Sequence, residues 1–319
     1  ILTSTQRDFR DPKVLWHEAS GRWIMILAVG QEMQIYSSPN LKDWTMESKF
    51  GEGQGAHGGV WECPDLIELP IEGTELKKWV LICNLNPGGP FGGSATQYFV
   101  GTFDGKKFVN ESPALTKWMD WGKDHYATVT WSNAPEGRHI ALAWMSNWQY
   151  ANNVPTQQYR SGNSVPRDLS LYTSKGETYV KCTPSRELLK LRDKGTKKRS
   201  FKVDRSYNLD RLLSDNTGTY EIEMTFKNKN AEIIGFQLFN SKGEEVEIYY
   251  NLVDKQFAMD RTKSGDVSFS KDFPAVTLAP IEGKDEMKLR LLIDKSSIEA
   301  FGDDGRFSMT NLVFPSEPY

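Results

Sequence analysis

Trp23-Ile24-Met25-Ile26-Leu27-Ala28-Val29 is a short apolar run with aromatic and β-branched side chains, bounded by turn formers. Such a run reads as a β-strand. Working outward, the same signature recurs at Trp79–Ile82, Gln97–Val100, Ile140–Trp144 and Tyr220–Phe226. The turns between strands are explicit: Phe103-Asp104-Gly105-Lys106-Lys107 and Asp303-Asp304-Gly305 carry Asp-Gly, which favours tight hairpins. Many short strands at close spacing predict an all-β protein.

The 319 residues carry 39 Lys+Arg against 42 Asp+Glu, a net charge of −3. That balance gives no electrostatic reason to expect nucleic acid or an anionic membrane as partner. A compact chain of this mass buries roughly three quarters of its extended surface, enough for one or two domains. Mean hydropathy is −0.55, and no stretch approaches the ~20 apolar residues that a membrane-spanning helix needs. Cys63, Cys83 and Cys182 cannot all pair, and none sits in a zinc-type spacing. His17, His57, His125 and His139 are scattered, so a histidine metal site would have to be assembled by the fold. No metal and no cofactor are expected. The chain begins at Ile1 rather than Met, which reads as a piece of a longer product or a processed chain.

One helix is expected, over Ser185–Arg192, leading into the charged run Asp193–Arg199. A short helix followed by a solvated segment reads as a domain junction, the alternative being a surface loop within one domain. This divides the chain into residues 1–184, a linker at 185–199 and residues 200–319. All ten tryptophans precede residue 150. Their density suits an aromatic-walled sugar site, although each could equally be core filler. Beyond residue 200, Val246-Glu247-Ile248-Tyr249-Tyr250 and Ser297-Ile298-Glu299-Ala300-Phe301 alternate, as strands with one wet face do in a β-sandwich.

Two acidic positions lie in crowded settings rather than in charge runs. In Arg10-Asp11-Pro12, the proline disfavours helical geometry at Asp11, and Arg10 can pair with hydroxyls or a carboxylate. In Trp61-Glu62-Cys63-Pro64-Asp65, apolar neighbours would disfavour the ionised form of Glu62 if they enclosed it. That is the setting required of a general acid at a glycosidic oxygen.

Arg7–Val14 (RDFRDPKV), Trp61–Leu66 (WECPDL), Gly92–Gly101 (GGSATQYFVG) and Trp144–Tyr150 (WMSNWQY) resemble glycoside hydrolase family 32, the invertases, inulinases and levanases. Asp120–Asp124 (DWGKD), Val165–Leu169 (VPRDL), Asp260–Gly265 (DRTKSG) and Asp294–Phe301 (DKSSIEAF) extend the match, in the family's order, over nearly the whole chain. The resemblance implies a five-bladed β-propeller followed by a C-terminal β-sandwich, retaining hydrolysis of β-fructofuranosidic bonds, and no metal. It assigns Glu62 as acid/base with Cys63 as its modulating neighbour. Asp11 becomes the transition-state stabiliser, kept ionised by Arg10. Asp120 and Lys123 are assigned to the hydrogen-bond network of the sugar pocket, with Trp148 and Tyr159 as aromatic contacts.

The family's nucleophile lies in an N-terminal WMNDPNG-like motif, and none occurs in this sequence. Asp8 is a poor substitute, since it adjoins the motif that holds Asp11. The expectation is therefore a propeller portion that begins after the first blade and most of the second, without its nucleophile, with the missing blades in the parent chain. Asn147–Asn152 and Val154-Pro155-Thr156 look like exo-acting levanases and inulinases. The expected substrate is a fructan (levan or inulin) or sucrose, and the expected location is outside the cell, in the periplasm or on the cell surface. The alternatives are a non-catalytic fructan-binding homologue and a different five-bladed glycosidase acting on arabinose or xylose.

Overall fold

The computed structural model describes residues 2–193, 195–212 and 216–319, apart from the Arg211 side chain; Lys194, within the charged run read as a junction, lies outside the described residues. Three antiparallel sheets come first, each four strands in chain order, as in propeller blades. The first holds β1 (Phe9–His17), β2 (Arg22–Val29), β3 (Glu32–Ser38) and β4 (Thr45–Phe50). The second holds β5 (Val60–Pro70), β6 (Lys77–Asn86), β7 (Ala95–Phe103) and β8 (Phe108–Asn110), with β9 (Lys117–Trp118) added on β7. The third orders β10 (Tyr126–Thr130), β11 (Ile140–Met145), β13 (Arg167–Ser174) and β14 (Glu177–Pro184), with β12 (Gly162–Asn163) pairing β11.

The run that reads as a strand in the sequence is β2, and it is apolar throughout because both of its faces are covered. Ile24, Ile26 and Ala28 join a core shared with the second sheet, through Trp61, Leu81 and Phe99. Met25, Leu27 and Val29 point the other way, against Phe9, Val14 and Trp44. Alternate residues of a strand face opposite sides, so a two-sided core demands an unbroken apolar run. Truncating Ile24, which is fully buried, to Ala would cost about 2–5 kcal/mol. Between the second and third sheets, Val80, Ile82, Tyr98, Leu169 and Leu171 form a separate core.

The rest is a two-sheet sandwich. One sheet orders β15 (Tyr220–Lys227), β20 (Glu286–Asp294), β21 (Ser297–Gly302) and β22 (Phe307–Leu312). The other runs β16 (Ile233–Phe239), β17 (Glu245–Asn251), β18 (Gln256–Lys263) and β19 (Val276–Pro280). In β17 the alternation read from sequence holds, with Val246, Ile248 and Tyr250 buried and Glu247 exposed. In β21 it fails: every residue is buried, because the second face of that sheet packs on the propeller and Glu299 meets Arg167 there at 2.7 Å.

The helix expected at 185–192 is a 3-10 helix, Arg186–Leu191. No residue of it is buried, and Leu191 is 79% exposed, so no apolar face docks on a core to stabilise a full α-helix. Among the described residues no helix is long and apolar enough to cross a membrane.

Candidate active site

The site grows from one irregularity repeated in three sheets. In β1 the pairing with β2 slips between Arg10 and Lys13. In β5 it slips between Glu62 and Asp65, and in β10 between Tyr126 and Val129. Each slip contains a non-glycine residue with positive φ: Asp11 at 57°, Cys63 at 43° and Ala127 at 52°. A bulge bends its strand and re-aims the side chains beside it, and a positive φ away from glycine carries strain that the surroundings must hold. The residues immediately before the three bulges are Arg10, Glu62 and Tyr126, and they converge. Arg10 Nη2 lies 3.1 Å from Glu62 Oε1, and the Tyr126 hydroxyl donates to Glu62 Oε2. Burial, followed by the neighbouring Glu62 charge, pushes the Tyr126 phenol well up, so it remains a donor.

Buried polar ties hold the bulges in place. The Asn84 amide donates to Cys63 O at 2.9 Å, while its Oδ1 accepts from Thr128 N at 2.9 Å, joining the second bulge to the third. Asp65 accepts from Lys13 Nζ at 3.0 Å and from Thr130 N at 2.7 Å, which links all three sheets through one fully buried carboxylate. Asp65 is therefore part of the frame beneath the site.

Asp11 accepts from the Cys63 backbone N–H at 3.0 Å and faces its thiol at 3.7 Å. Burial first, then the charges of Asp11 and Glu62, push the Cys63 thiol up to about 12, so at neutral pH it is an S–H group and no nucleophile. The family resemblance pairs Arg10 with Asp11. Its carboxylate partners are instead Glu62 and, at 3.3 Å, Asp8. Nor do apolar groups enclose Glu62, since a guanidinium and a hydroxyl face it.

Trp148 reaches the site through rings: it lies 4.9 Å from Trp144, which lies 6.2 Å from Tyr126. Half exposed at 50%, it offers an open aromatic surface beside the acidic cluster. Its loop is locked by Asn147, whose Nδ2 donates to Lys123 O at 2.9 Å and to Gly92 O at 3.2 Å. Gly93, at φ 71°, sits so close that a Cβ there would overlap Asn147 Oδ1.

Asp120, Lys123 and Tyr159 do not join this cluster. Asp120 is buried against the sandwich, bonded to Arg167 Nη1 at 2.8 Å, to Thr310 N at 2.8 Å and to Thr310 Oγ1 at 2.8 Å. Burial raises its carboxyl, but the Arg167 charge and these donors prevail and bring it down to about 2. Lys123 donates through Nζ to Asp272 O, also in the sandwich part. Both side chains are spent on domain joining, which replaces the sugar contacts the sequence suggested. Tyr159, 52% exposed, bonds Ser296 Oγ at 3.2 Å and lines a crevice of about 210 Å³ between propeller and sandwich with Asn163 and Asp294.

Sequence reasoning did not single out Tyr126, Trp144 or Asn84. The available signal was positional: Tyr126-Ala127 occupies in β10 the place of Arg10-Asp11 in β1 and Glu62-Cys63 in β5, which only strand register reveals. Among the described residues no group of three or more His, Cys, Asp or Glu is placed to hold a metal ion.

The model of the glycosyl hydrolases family 32 N-terminal domain matches residues 1–182, and that of the family's C-terminal part matches 187–319. The chain is 42% identical to a levanase of Bacillus subtilis (strain 168) over 97% of its own length and 47% of that protein. It is 36% identical to an extracellular exo-inulinase of Aspergillus niger over 97% of its length and 60% of that protein. It thus spans about half the length of the curated relatives it matches. The crystal structure of exo-inulinase from Aspergillus awamori superposes with a TM-score of 0.88 at 33% identity, covering 97% of this chain and 62% of that one. A fructofuranosidase from Schwanniomyces occidentalis, complexed with fructosylnystose, gives 0.86 at 33% identity, covering 99% and 66%. Three blade sheets and a β-sandwich, a Glu-Cys bulge facing an Arg-Asp bulge, and matches spanning both parts identify this chain as a member of glycoside hydrolase family 32.

Proposed function

We propose that this chain carries the acid/base half of a site that hydrolyses β-fructofuranosidic bonds, in levan, inulin or sucrose, from the chain end and with retention. The observation that carries the reading is the convergence of Glu62, Arg10 and Tyr126 beside the Asp11 bulge. Glu62 protonates the leaving oxygen and then takes a proton from water in the second step, while a second carboxylate about 5 Å away attacks the anomeric carbon. Arg10 and Tyr126 grip the two oxygens of Glu62 and fix its aim. Asp11, with Oδ2 tied to Cys63 N, faces the positive charge of an oxocarbenium-like transition state and holds sugar hydroxyls. Trp148 and Trp144 supply the flat apolar wall on which a sugar ring rests. The relatives named extracellular support action outside the cell, where polymeric fructan is met.

The nucleophile is the open half. Without a WMNDPNG-like motif in the sequence, we read these residues as lacking it, and loss of a nucleophile that acts as part of a unit can cost about 10⁶-fold in rate. That same observation favours a second reading, a fructan-binding homologue without turnover. Fructose release from levan, inulin and sucrose by this chain, with E62Q as control, tests both. Release by the wild type alone would mean that another carboxylate of this chain attacks, Asp8 beside Arg10 being the first to replace. No release from either, with levan oligosaccharides still bound in a calorimetric titration, leaves a binding site that turns over only where a nucleophile is supplied. Neither release nor binding refutes the assignment.

A further inference from the structure

The sandwich reaches towards the fructoside site through one buried side chain. Arg261, on β18, is wholly buried and donates to groups from both parts of the molecule. Its Nη1 bonds Asp124 Oδ2 at 2.5 Å and Leu312 O at 3.0 Å. Its Nη2 bonds the Tyr150 hydroxyl at 2.8 Å, and its Nε bonds Phe273 O at 2.9 Å. The triangle closes within the propeller, where the Tyr150 hydroxyl donates to Asp124 Oδ1 at 2.6 Å. Asp124 also accepts from Leu312 N at 2.8 Å.

What these two propeller residues sit next to gives the clamp its meaning. Asp124 lies two residues before Tyr126, which bonds Glu62. Tyr150 lies two residues after Trp148, the exposed aromatic wall. A third bond ties the same two segments, from Asn147 Nδ2 to Lys123 O. The guanidinium is planar and forked, so a single Arg fixes the distance between two partners, whereas the freely rotating donors of a lysine ammonium set no such spacing. The other buried arginine at the joint, Arg167, grips Asp120, Glu299 and Thr310, none of which adjoins a residue of the site.

We propose that Arg261 is a positioning residue of the sandwich that sets the spacing between Tyr126 and Trp148, and so the fit of the fructosyl unit between the acid/base and the aromatic wall. This rests on the fructoside reading of the site, but the geometric part stands apart from it and is tested apart. R261A would strand Asp124 as an unpaired buried charge, so the informative variants are R261K and Y150F, which keep the charge and the ring respectively. The full chain is labelled with 5-fluorotryptophan and its ten indole resonances are followed by fluorine NMR, W144F and W148F assigning the two lines at the site. In R261K and in Y150F those two lines shift or broaden, whereas the lines of Trp16 and Trp23, in the first sheet, and of Trp44, packed against it, stay in place. R167K, which loosens the same joint through Asp120, leaves the Trp144 and Trp148 lines where they are.

The idea is overturned if the two lines do not move in R261K and Y150F. It is equally overturned if all ten move together, or if R167K moves the two lines as far, since each result describes general docking rather than positioning. A titration with levan oligosaccharides reads the consequence: affinity falls about tenfold in R261K, in keeping with the cost of misplacing a group in a fitted site, and by a smaller factor in Y150F, which keeps the Arg261–Asp124 pair. If the wild type binds no fructan, the fructoside reading fails while the resonances still decide the positioning role.

Discussion

Lowering the pH from 7 to 5 should weaken this protein in large part through one imidazole, that of His125. His125 is buried beneath the third bulge, its Nδ1 3.3 Å from Thr128 Oγ1. Burial first, then the nearby Arg167 charge, push it down from 6.5 to about 3, against a smaller opposite pull from Asp120. The folded form therefore stays neutral at pH 5, whereas the unfolded form takes up a proton below 6.5. A depressed group of this kind contributes stability that is complete above its unfolded value and is lost as pH falls towards the folded value. Over the 1.5 units from 6.5 to 5, at about 1.36 kcal/mol per unit, the loss is about 2 kcal/mol. With a urea dependence of about 2–3 kcal/mol/M, the unfolding midpoint falls by roughly 0.7–1 M. Tryptophan fluorescence is the assay, since all ten indoles lie in the part that holds His125. H125N removes the group and should lose far less between the two pH values. His139, also pushed down by burial, and Glu299, pushed up by burial and so titrating in the opposite sense, remain in both proteins and cancel in the comparison. Equal losses in wild type and H125N would refute the reading of a neutral buried imidazole.

Three further outcomes follow from the contacts. Y126F removes the hydroxyl that bonds Glu62 and should lower whatever fructoside cleavage the proposed site supports once a nucleophile is supplied by about 10–100-fold with little change in unfolding midpoint, against roughly 10²–10⁴-fold for E62Q; steady-state kinetics check the ranking. R167M leaves Asp120 and Glu299 buried without their cation and should destabilise by about 3–5 kcal/mol, whereas a triple change that also makes D120N and E299Q should regain much of it; urea unfolding decides. Cys63, with its thiol pushed up to about 12, should react with iodoacetamide at pH 8 about 10³-fold more slowly than an ordinary exposed cysteine, and faster in D11N, where one of the charges that raise it is gone; mass spectrometry of the labelled peptide follows the rate.

The strands were legible because their causes are local. The run at 23–29 reads as β2, and the Asp-Gly turns at 104–105 and 304–305 stand between β7 and β8 and between β21 and β22. Glu62 and Asp11 were singled out by crowded local sequence and family resemblance, and the register slips Arg10/Lys13 and Glu62/Asp65 that bring them face to face follow only from strand pairing. The short helix read at 185–192 is present over Arg186–Leu191, but as a 3-10 turn, a type that local sequence does not reveal because it depends on whether a core is there to dock on. Asp120, Lys123 and Tyr159 misled for a related reason: a polar residue within a recognisable motif carries no mark of which neighbour will satisfy it.

From the sequence alone come the all-β class and the family, together with the expectation that Glu62 and Asp11 form the acidic pair of the site. Those follow from side-chain periodicity, turn chemistry and motif order, all of which are properties of short stretches. Only the tertiary structure decided that Arg10 serves Glu62 rather than Asp11, that Tyr126 completes the cluster, and that Asp120 and Lys123 fasten the sandwich to the propeller. Each of those outcomes depends on which charges and donors meet across separate sheets, and a buried polar group takes whichever partner the packing brings within hydrogen-bonding distance.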